Sequence, residues 1–300
     1  MKRREFLASG VGAALWATGW PKGTRISRAH IRLGYAAITW GGNDARAIDD
    51  IAALGFRGIQ LRQSAVTTWG DRPGELKQLL ADRKLTLVAL SSGDVSLDPA
   101  REHEILALHT RHARFVRDVG GRYLQVIDQR PSGRDPTPDD FKRMGRLLTE
   151  IGRRSADVGI PLGYHNHMGA LGQSPEEVTR VLDAADSRYV RLELDIAHFQ
   201  QAGGDPAEAI HQHAGRMLFL HIKDLESPIP GGAPDSYRFV ELGRGKVDVN
   251  GVFAALDDVA FDGWAVVELD AVPDTTRTPK ESGAIARRYL EASGRWNDAS

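Results

Sequence analysis

The residues able to do chemistry crowd into the second half of this 300-residue chain, in pairs two positions apart. They are His165 and His167, Glu193 and Asp195 (with His198 close behind), His221 and Lys223, and Glu268 and Asp270. In an extended chain successive side chains alternate faces, so each pair shares one face of a strand. Taken singly, a strand histidine is usually a satisfied core group and a strand-end aspartate usually a helix cap. Four neighbouring segments presenting His or carboxylate at the same height are harder to explain that way. Burying so many ionisable groups without partners costs several kcal/mol each. A divalent cation resolves the conflict, because imidazole and carboxylate suit Mn²⁺, Zn²⁺, Fe²⁺ or Co²⁺. The chain has no cysteine, which excludes thiolate-bound zinc, iron–sulfur clusters, disulfides and thiol nucleophiles.

The elements that must position these groups alternate along the chain. Apolar runs predict strands at Ile31–Thr39, Gly58–Leu61, Leu85–Leu90, Tyr123–Ile127, Ile160–Tyr164, Tyr189–Leu194, Met217–Ile222 and Trp264–Leu269. An amphipathic stretch follows each run, and several open with good N-terminal chemistry. Ser174-Pro175-Glu176-Glu177 supplies a cap, a proline for the first turn and two acids near the positive helix end. Eight strands alternating with eight helices predict one α/β domain, a (β/α)₈ TIM barrel over residues 30–295 with a short tail at 296–300. No Gly-x-Gly-x-x-Gly follows the first strand, and Gly243-x-Gly245 lies in a late loop. A dinucleotide-binding sheet is therefore disfavoured. In such a barrel the chemistry belongs at the carboxyl ends of the strands.

Lys plus Arg (39) nearly cancels Asp plus Glu (40), so the charge offers no reason to expect a nucleic-acid partner. A homo-oligomer is compatible with the composition. Residues 1–29 have the features of a twin-arginine (Tat-type) export signal. Lys2-Arg3-Arg4-Glu5-Phe6-Leu7 is followed by an uncharged stretch from Ala8 to Trp16. Export to the periplasm is expected. The apolar run is about half of the roughly 20 residues a spanning helix needs, so a stable membrane anchor is not expected. Export, and the lack of a phosphate-cradling loop, favour an unphosphorylated sugar, a cyclic polyol ketone or a keto-glycoside as substrate.

Beyond these readings, a set of motifs resembles the xylose isomerase-like barrel superfamily of sugar isomerases and epimerases, and within it the inosose dehydratase branch. The motifs are Tyr164-His165-Asn166-His167-Met168-Gly169, Leu194-Asp195-Ile196-Ala197-His198, Ala202-Gly203-Gly204-Asp205-Pro206, His221-Ile222-Lys223-Asp224, the stretch Val240 to Asp248, and Glu268. The resemblance implies one divalent ion, Mn²⁺ first with Zn²⁺, Co²⁺ or Fe²⁺ as alternatives. It implies as ligands a fifth-strand Glu, a sixth-strand Asp, a seventh-strand His and an eighth-strand Glu. These positions carry His165, Asp195, His221 and Glu268 here, so the first is altered, and either His165 or His167 supplies it. His198 is implied to contact substrate or complete the site. The usual second-strand Glu is replaced by Gln60, which can orient a hydroxyl but cannot act as a base.

The implied chemistry is removal of the proton beside a ketone, with a cation polarising the carbonyl. Inversion at carbon needs two bases on opposite faces, and a ligating His165 could not be one of them. Either a metal-dependent isomerase or epimerase, or a dehydratase or lyase acting on a keto-polyol such as an inosose or on a keto-glycoside, fits. A non-catalytic periplasmic sugar-binding protein is the third reading. Glu268 or neutral His198 is the candidate base. Lys223 stabilises the enolate, unless it merely pairs with Glu193 or Asp224. Gln60, His167 and Arg244 are candidate hydroxyl binders, and Trp40 a candidate platform for a sugar ring.

Overall fold

The computed structural model describes residues 29–296, so the predicted export signal, apart from Ala29, lies outside it. Short runs of branched and aromatic residues form ten strands. These are β1 (His30–Ala36), β2 (Gly58–Arg62), β3 (Thr86–Val95), β4 (Tyr123–Asp128), β5 (Leu162–His165), β6 (Val190–Asp195), β7 (Met217–Ile222), β8 (Asp224–Glu226), β9 (Arg238–Val240) and β10 (Asp262–Val267). Eight close into a parallel barrel in the order β1-β10-β7-β6-β5-β4-β3-β2, while β8 and β9 form a separate antiparallel pair. The helices are α1 (Asp44–Ala53), α2 (Ser64–Trp69), α3 (Pro73–Asp82), α4 (Glu102–Val119), α5 (Pro138–Ala156), α6 (Pro175–Ala184), α7 (Ile196–Gln201), α8 (Pro206–His213), α9 (Val249–Asp258) and α10 (Pro279–Ala292). Among the described residues no helix is long and apolar enough to cross a membrane.

The predicted (β/α)₈ barrel is present, and its departures from expectation are local. The strand expected to run to Thr39 stops at Ala36, and Ala37–Trp40 turns into a 3₁₀ helix. Thr39 Oγ1 there donates to the Leu269 carbonyl at 2.5 Å, tying the turn to the chain beyond β10. The short helices α2 and α7 and the β8–β9 pair carry too few residues for a period to register. The expected tail boundary also moves. Trp296 packs edge-on against Phe56 with ring centroids 4.9 Å apart, and Arg287 lies over its ring, so Trp296 belongs to the barrel.

Helix starts were well coded. Ser174 and Glu177 on α6, and Thr278 and Glu281 on α10, form reciprocal capping boxes with proline in the first turn. The floor of the barrel is closed by Trp264 and Val88, whose side chains occupy the space a Cβ at Gly58 would need, each 2.5 Å from it. The outer core lies between the strands and the helix ring, where α5 approaches its neighbours through glycines. A Cβ on Gly145 would run into the Ala184 carbonyl.

This close approach yields a paired prediction. Gly145→Ala should lower the denaturant midpoint by the equivalent of about 1–3 kcal/mol through overpacking. Gly74→Ala, on α3 where a Cβ meets nothing within 4 Å, should be neutral or stabilise by up to about 1 kcal/mol. Equal responses of the two variants in urea unfolding would reject the packing argument.

Candidate metal centre

Strand register brings the chemistry-bearing pairs together at the carboxyl end of the barrel. Asp195 pairs in register with His221, and Glu193 with His165. One ligand atom each from Asp195, His221 and Glu268 lies within 4.8 Å of the others. His221 Nδ1 is 3.6 Å from Asp195 Oδ2 and 3.4 Å from Glu268 Oε2. All three residues are buried, at 0%, 1% and 9% exposure. Asp195 Oδ2 and His221 Nδ1 have no hydrogen-bond partner. Such orphaned atoms are costly in a dry interior. Two oxygen donors and an imidazole nitrogen aimed at one point are a donor set that a divalent cation fits.

Each donor is held from behind. Asp195 caps α7, its Oδ1 accepting from the Ala197 and His198 backbone N–H groups at 2.9 Å each, which leaves Oδ2 facing the site. Asn166 takes the Asp195 N–H with Oδ1 and donates to the Asp195 carbonyl with Nδ2, fastening β5 to β6. His221 Nε2 lies 2.7 Å from Gln60 Oε1 and 2.6 Å from Glu193 Oε1. Two acceptors on Nε2 put the proton there and leave the Nδ1 lone pair for a cation, the arrangement that orients ligating histidines generally. Burial opposes charge on His221, but Glu193 and Glu268 outweigh it and hold its pKa well above the usual range, so without a cation Nδ1 also carries a proton, which a binding cation would displace. Burial pushes Glu193 up to about 7, with His221 opposing.

Lys223 is fully buried and pairs with Glu268 Oε1 at 2.9 Å and Asp270 Oδ1 at 2.6 Å. The expected alternative partners, Glu193 and Asp224, are therefore not its partners. Asp224 instead accepts backbone N–H groups from Gly243, Gly245, Leu225 and Val247 and organises that loop. The Phe239 ring, from β9, covers Lys223 Nζ at 3.9 Å and stacks edge-on with His198. His198 lies 3.4 Å from Lys223 through Nε2, and its Nδ1 accepts the Met168 N–H at 3.3 Å. Burial pushes His198 down to about 3, with Asp195 opposing, so the imidazole is neutral and weakly basic. Glu268 is also pushed up by burial, but His221 and Lys223 outweigh that and hold it below the usual carboxylate value.

The remaining predicted residues fall out differently. His165 does not join the Asp195–His221–Glu268 point; it groups with Glu193 and His221, and with His167 and His198. Its unpartnered Nδ1 faces Glu193 Oε1 at 3.7 Å. His167 stands half-buried at the mouth, its ring 3.8 Å from that of His198, with Nδ1 at 2.6 Å from the Met168 carbonyl. Gln60 is spent on His221 rather than open to a hydroxyl. Trp40 is no platform: it is buried, packs edge-on with Tyr35 and donates from Nε1 to Asp50 on α1. Arg244 is exposed and lines a separate cleft with Glu226, Arg238 and Arg277. The site also recruits Glu193 and Asp270, which the two-residue spacing already placed beside Asp195 and Glu268. Phe239 carried no sequence signal, since β9 is three residues long.

Fold and site define a TIM barrel with a candidate cation site at its mouth, and comparison gives the family. The profile of the family described as xylose isomerase-like TIM barrel matches residues 48–291, and the chain belongs to it. An inosose dehydratase of Lacticaseibacillus casei is 26% identical, with 88% of this chain and 97% of the relative covered. A crystal structure of the IOLI protein with a bound zinc atom superposes with a TM-score of 0.74 at 18% identity, covering 89% of this chain and 99% of that one. A probable 3-DHS dehydratase, AsbF, from Bacillus anthracis gives 0.72 at 17% identity, covering 87% and 99%. These two likenesses establish the fold.

The Nε2 contacts of His221 lead to a first test here. Glu193→Gln should weaken divalent-cation affinity about 10- to 100-fold, read by competition with a chromogenic chelator, with the circular dichroism spectrum unchanged. An unaltered affinity would show that Glu193 does not tune the ligand.

A second test concerns the end of β4. Asp128 Oδ2 accepts from Tyr164 and the Gly172 N–H, while Oδ1 is unpartnered, and burial raises the carboxyl to about 7. A raised folded-state pKa favours the protonated form in the fold. Its contribution, up to about 4 kcal/mol, is full below the unfolded value near pH 4 and lost as pH rises through 7. Asp128→Asn should flatten the decline in stability between about pH 4 and 7. Parallel slopes for the two proteins would refute this.

Proposed function

We propose that the chain is a divalent-metal-dependent dehydratase or lyase acting on an unphosphorylated keto-polyol or keto-sugar. It removes the proton beside the ketone and expels the oxygen on the next carbon. The observation that carries this is that the carboxylates free to take a proton, Glu268 and Asp270, stand on one side of the site only, just beyond β10 and both on Lys223. Glu268 converges on His221 and Asp195, whereas the fifth strand offers His165, a neutral imidazole turned toward Glu193. Burial and the neighbouring His221 hold His165 well below the usual histidine range. Inversion by two bases on opposite faces has no second base to use. Elimination needs only one.

When bound at Asp195, His221 and Glu268, the cation supplies polarisation of the ketone and of its α-C–H bond. The chain supplies the rest. Glu268 accepts the α-proton, the C–H pair becomes the new C=C bond, and the β-C–O bond breaks. Lys223, hydrogen-bonded to both Glu268 and Asp270, is placed to protonate the departing oxygen, which leaves as water or as an alcohol. His198 and His167 line the mouth as hydrogen-bonding groups. The L. casei relative carries the name inosose dehydratase, which supports this reading over the isomerase. An unphosphorylated substrate also accords with a periplasmic site of action, which we infer from the twin-arginine start.

The test is to incubate the metal-loaded protein with an inosose in D₂O. Deuterium uptake beside the ketone, loss of water and a new enone absorbance in the ultraviolet are the expected results. Isomer formation without absorbance would transfer the protein to the isomerases. Binding without exchange would leave only a binding protein. His221→Ala should lose both metal and exchange, and Glu268→Gln should slow turnover 10²- to 10⁴-fold.

A further inference from the structure

We infer that the substrate is a glycoside, carrying a second sugar beyond the ring that meets the metal centre; this rests on the keto-substrate reading above. Three cavities adjoin in series across the barrel mouth. The first, of about 330 Å³, is lined by His167 from the candidate centre and by Asp94 and Ile127. Asp94 and Ile127 also line the second, of about 180 Å³, which reaches Arg62 and Gln63. Arg62 and Gln63 in turn line the third, of about 630 Å³, which ends between α2 and α4 at Arg111. A trough therefore leaves the metal side at β5 and crosses the ends of β4, β3 and β2.

Volume and chemistry both bear on what fills it. Small-molecule sites span about 300–1,000 Å³ for a whole ligand, and Asp195, His221 and Glu268 line none of these three cavities, so this space lies beyond the ring that meets the metal centre. Most of the space lies farther on. Its walls are mixed: Arg62, Gln63, Asp94 and Arg111 are exposed and Gln129 bridges to Asp94 at 3.2 Å, while Val66 and Leu108 add apolar surface to the third cavity. Guanidinium, amide and carboxylate groups at successive strand ends offer the donors and acceptors that sugar hydroxyls need. With the apolar patches of Val66 and Leu108 they suit a second sugar ring, which presents both hydroxyl edges and C–H faces. None of these residues contacts the Asp195–His221–Glu268 point, so the trough acts on recognition and not on proton transfer.

The test compares mono-keto derivatives of methyl glucoside and of maltose as substrates of the metal-loaded protein. The disaccharide should show a kcat/KM at least tenfold higher. Arg62→Ala should remove about tenfold of that through KM and leave the methyl glucoside unaffected. Thr67→Trp, which narrows the third cavity from α2, should do the same. Equal kcat/KM for both compounds, or equal losses on both in the variants, overturns the second-sugar inference while leaving the elimination reading intact. If neither compound is turned over, the elimination reading fails, and calorimetric binding of the same two compounds decides the trough. Tighter, Arg62-dependent binding of the disaccharide supports it, and equal binding ends it.

Discussion

One imidazole organises the mouth of this barrel. His221 meets Glu193 and Gln60 through one nitrogen and faces Asp195 and Glu268 through the other, with the side chain 1% exposed. Three carboxylates around a buried ring cannot all remain charged without positive charge close by, because desolvation costs several kcal/mol per ion. Lys223 supplies one such charge, and a divalent cation at His221 Nδ1 would supply the rest. The same constraint explains why so many supporting hydrogen bonds converge here. Each one removes a rotational freedom from a donor that must already point at the cation before it arrives.

The scaffold meets this demand with backbone more than with bulk. Asp195 is the last residue of β6 and the cap of α7, so a single side chain ends a strand, starts a helix and still offers a free oxygen. Asp224, directly after β7 and Lys223, gathers the N–H groups of the Gly243–Val247 loop, and Gly245 is glycine because a Cβ there would strike the Asp224 carboxylate. That loop follows β9, whose Phe239 covers Lys223. The aromatic lid over the ammonium thus depends on an aspartate in the preceding strand, β8, which joins the geometry of the loop to the electrostatics of the site.

Much of this was legible in the sequence, for identifiable reasons. The barrel declared itself through strand–helix alternation, and the His, Asp and Glu pairs through a spacing of two, which strand geometry converts directly into a shared face. Glu193 and Asp270 were visible by the same parity. What parity cannot tell is depth. Gln60 and Trp40 sit on the expected strand ends, yet one points inward to His221 and the other packs outward on α1, and only register and packing separate these outcomes. Arg244 was read from a motif whose glycines serve a loop organised by Asp224 and not the substrate. The β8–β9 pair was invisible because three-residue strands carry no period.

His165 is where the charge arithmetic decides between chemistries. With histidine there, the four carboxylates Glu193, Asp195, Glu268 and Asp270 would be balanced by Lys223 and a divalent cation to about one negative charge, which the raised proton affinity of Glu193 can absorb. A glutamate at the same place would add a further buried anion 3.7 Å from Glu193, a like-charge contact that would force one of the two to stay protonated. The carboxylate that the fifth strand lacks is thus present one strand over, behind His221 instead of before the substrate. Moved there it tunes a ligand and no longer reaches a carbon-bound proton. On the proposed reading, a barrel wired this way retains a cation site and one base, and gives up the second face of the substrate.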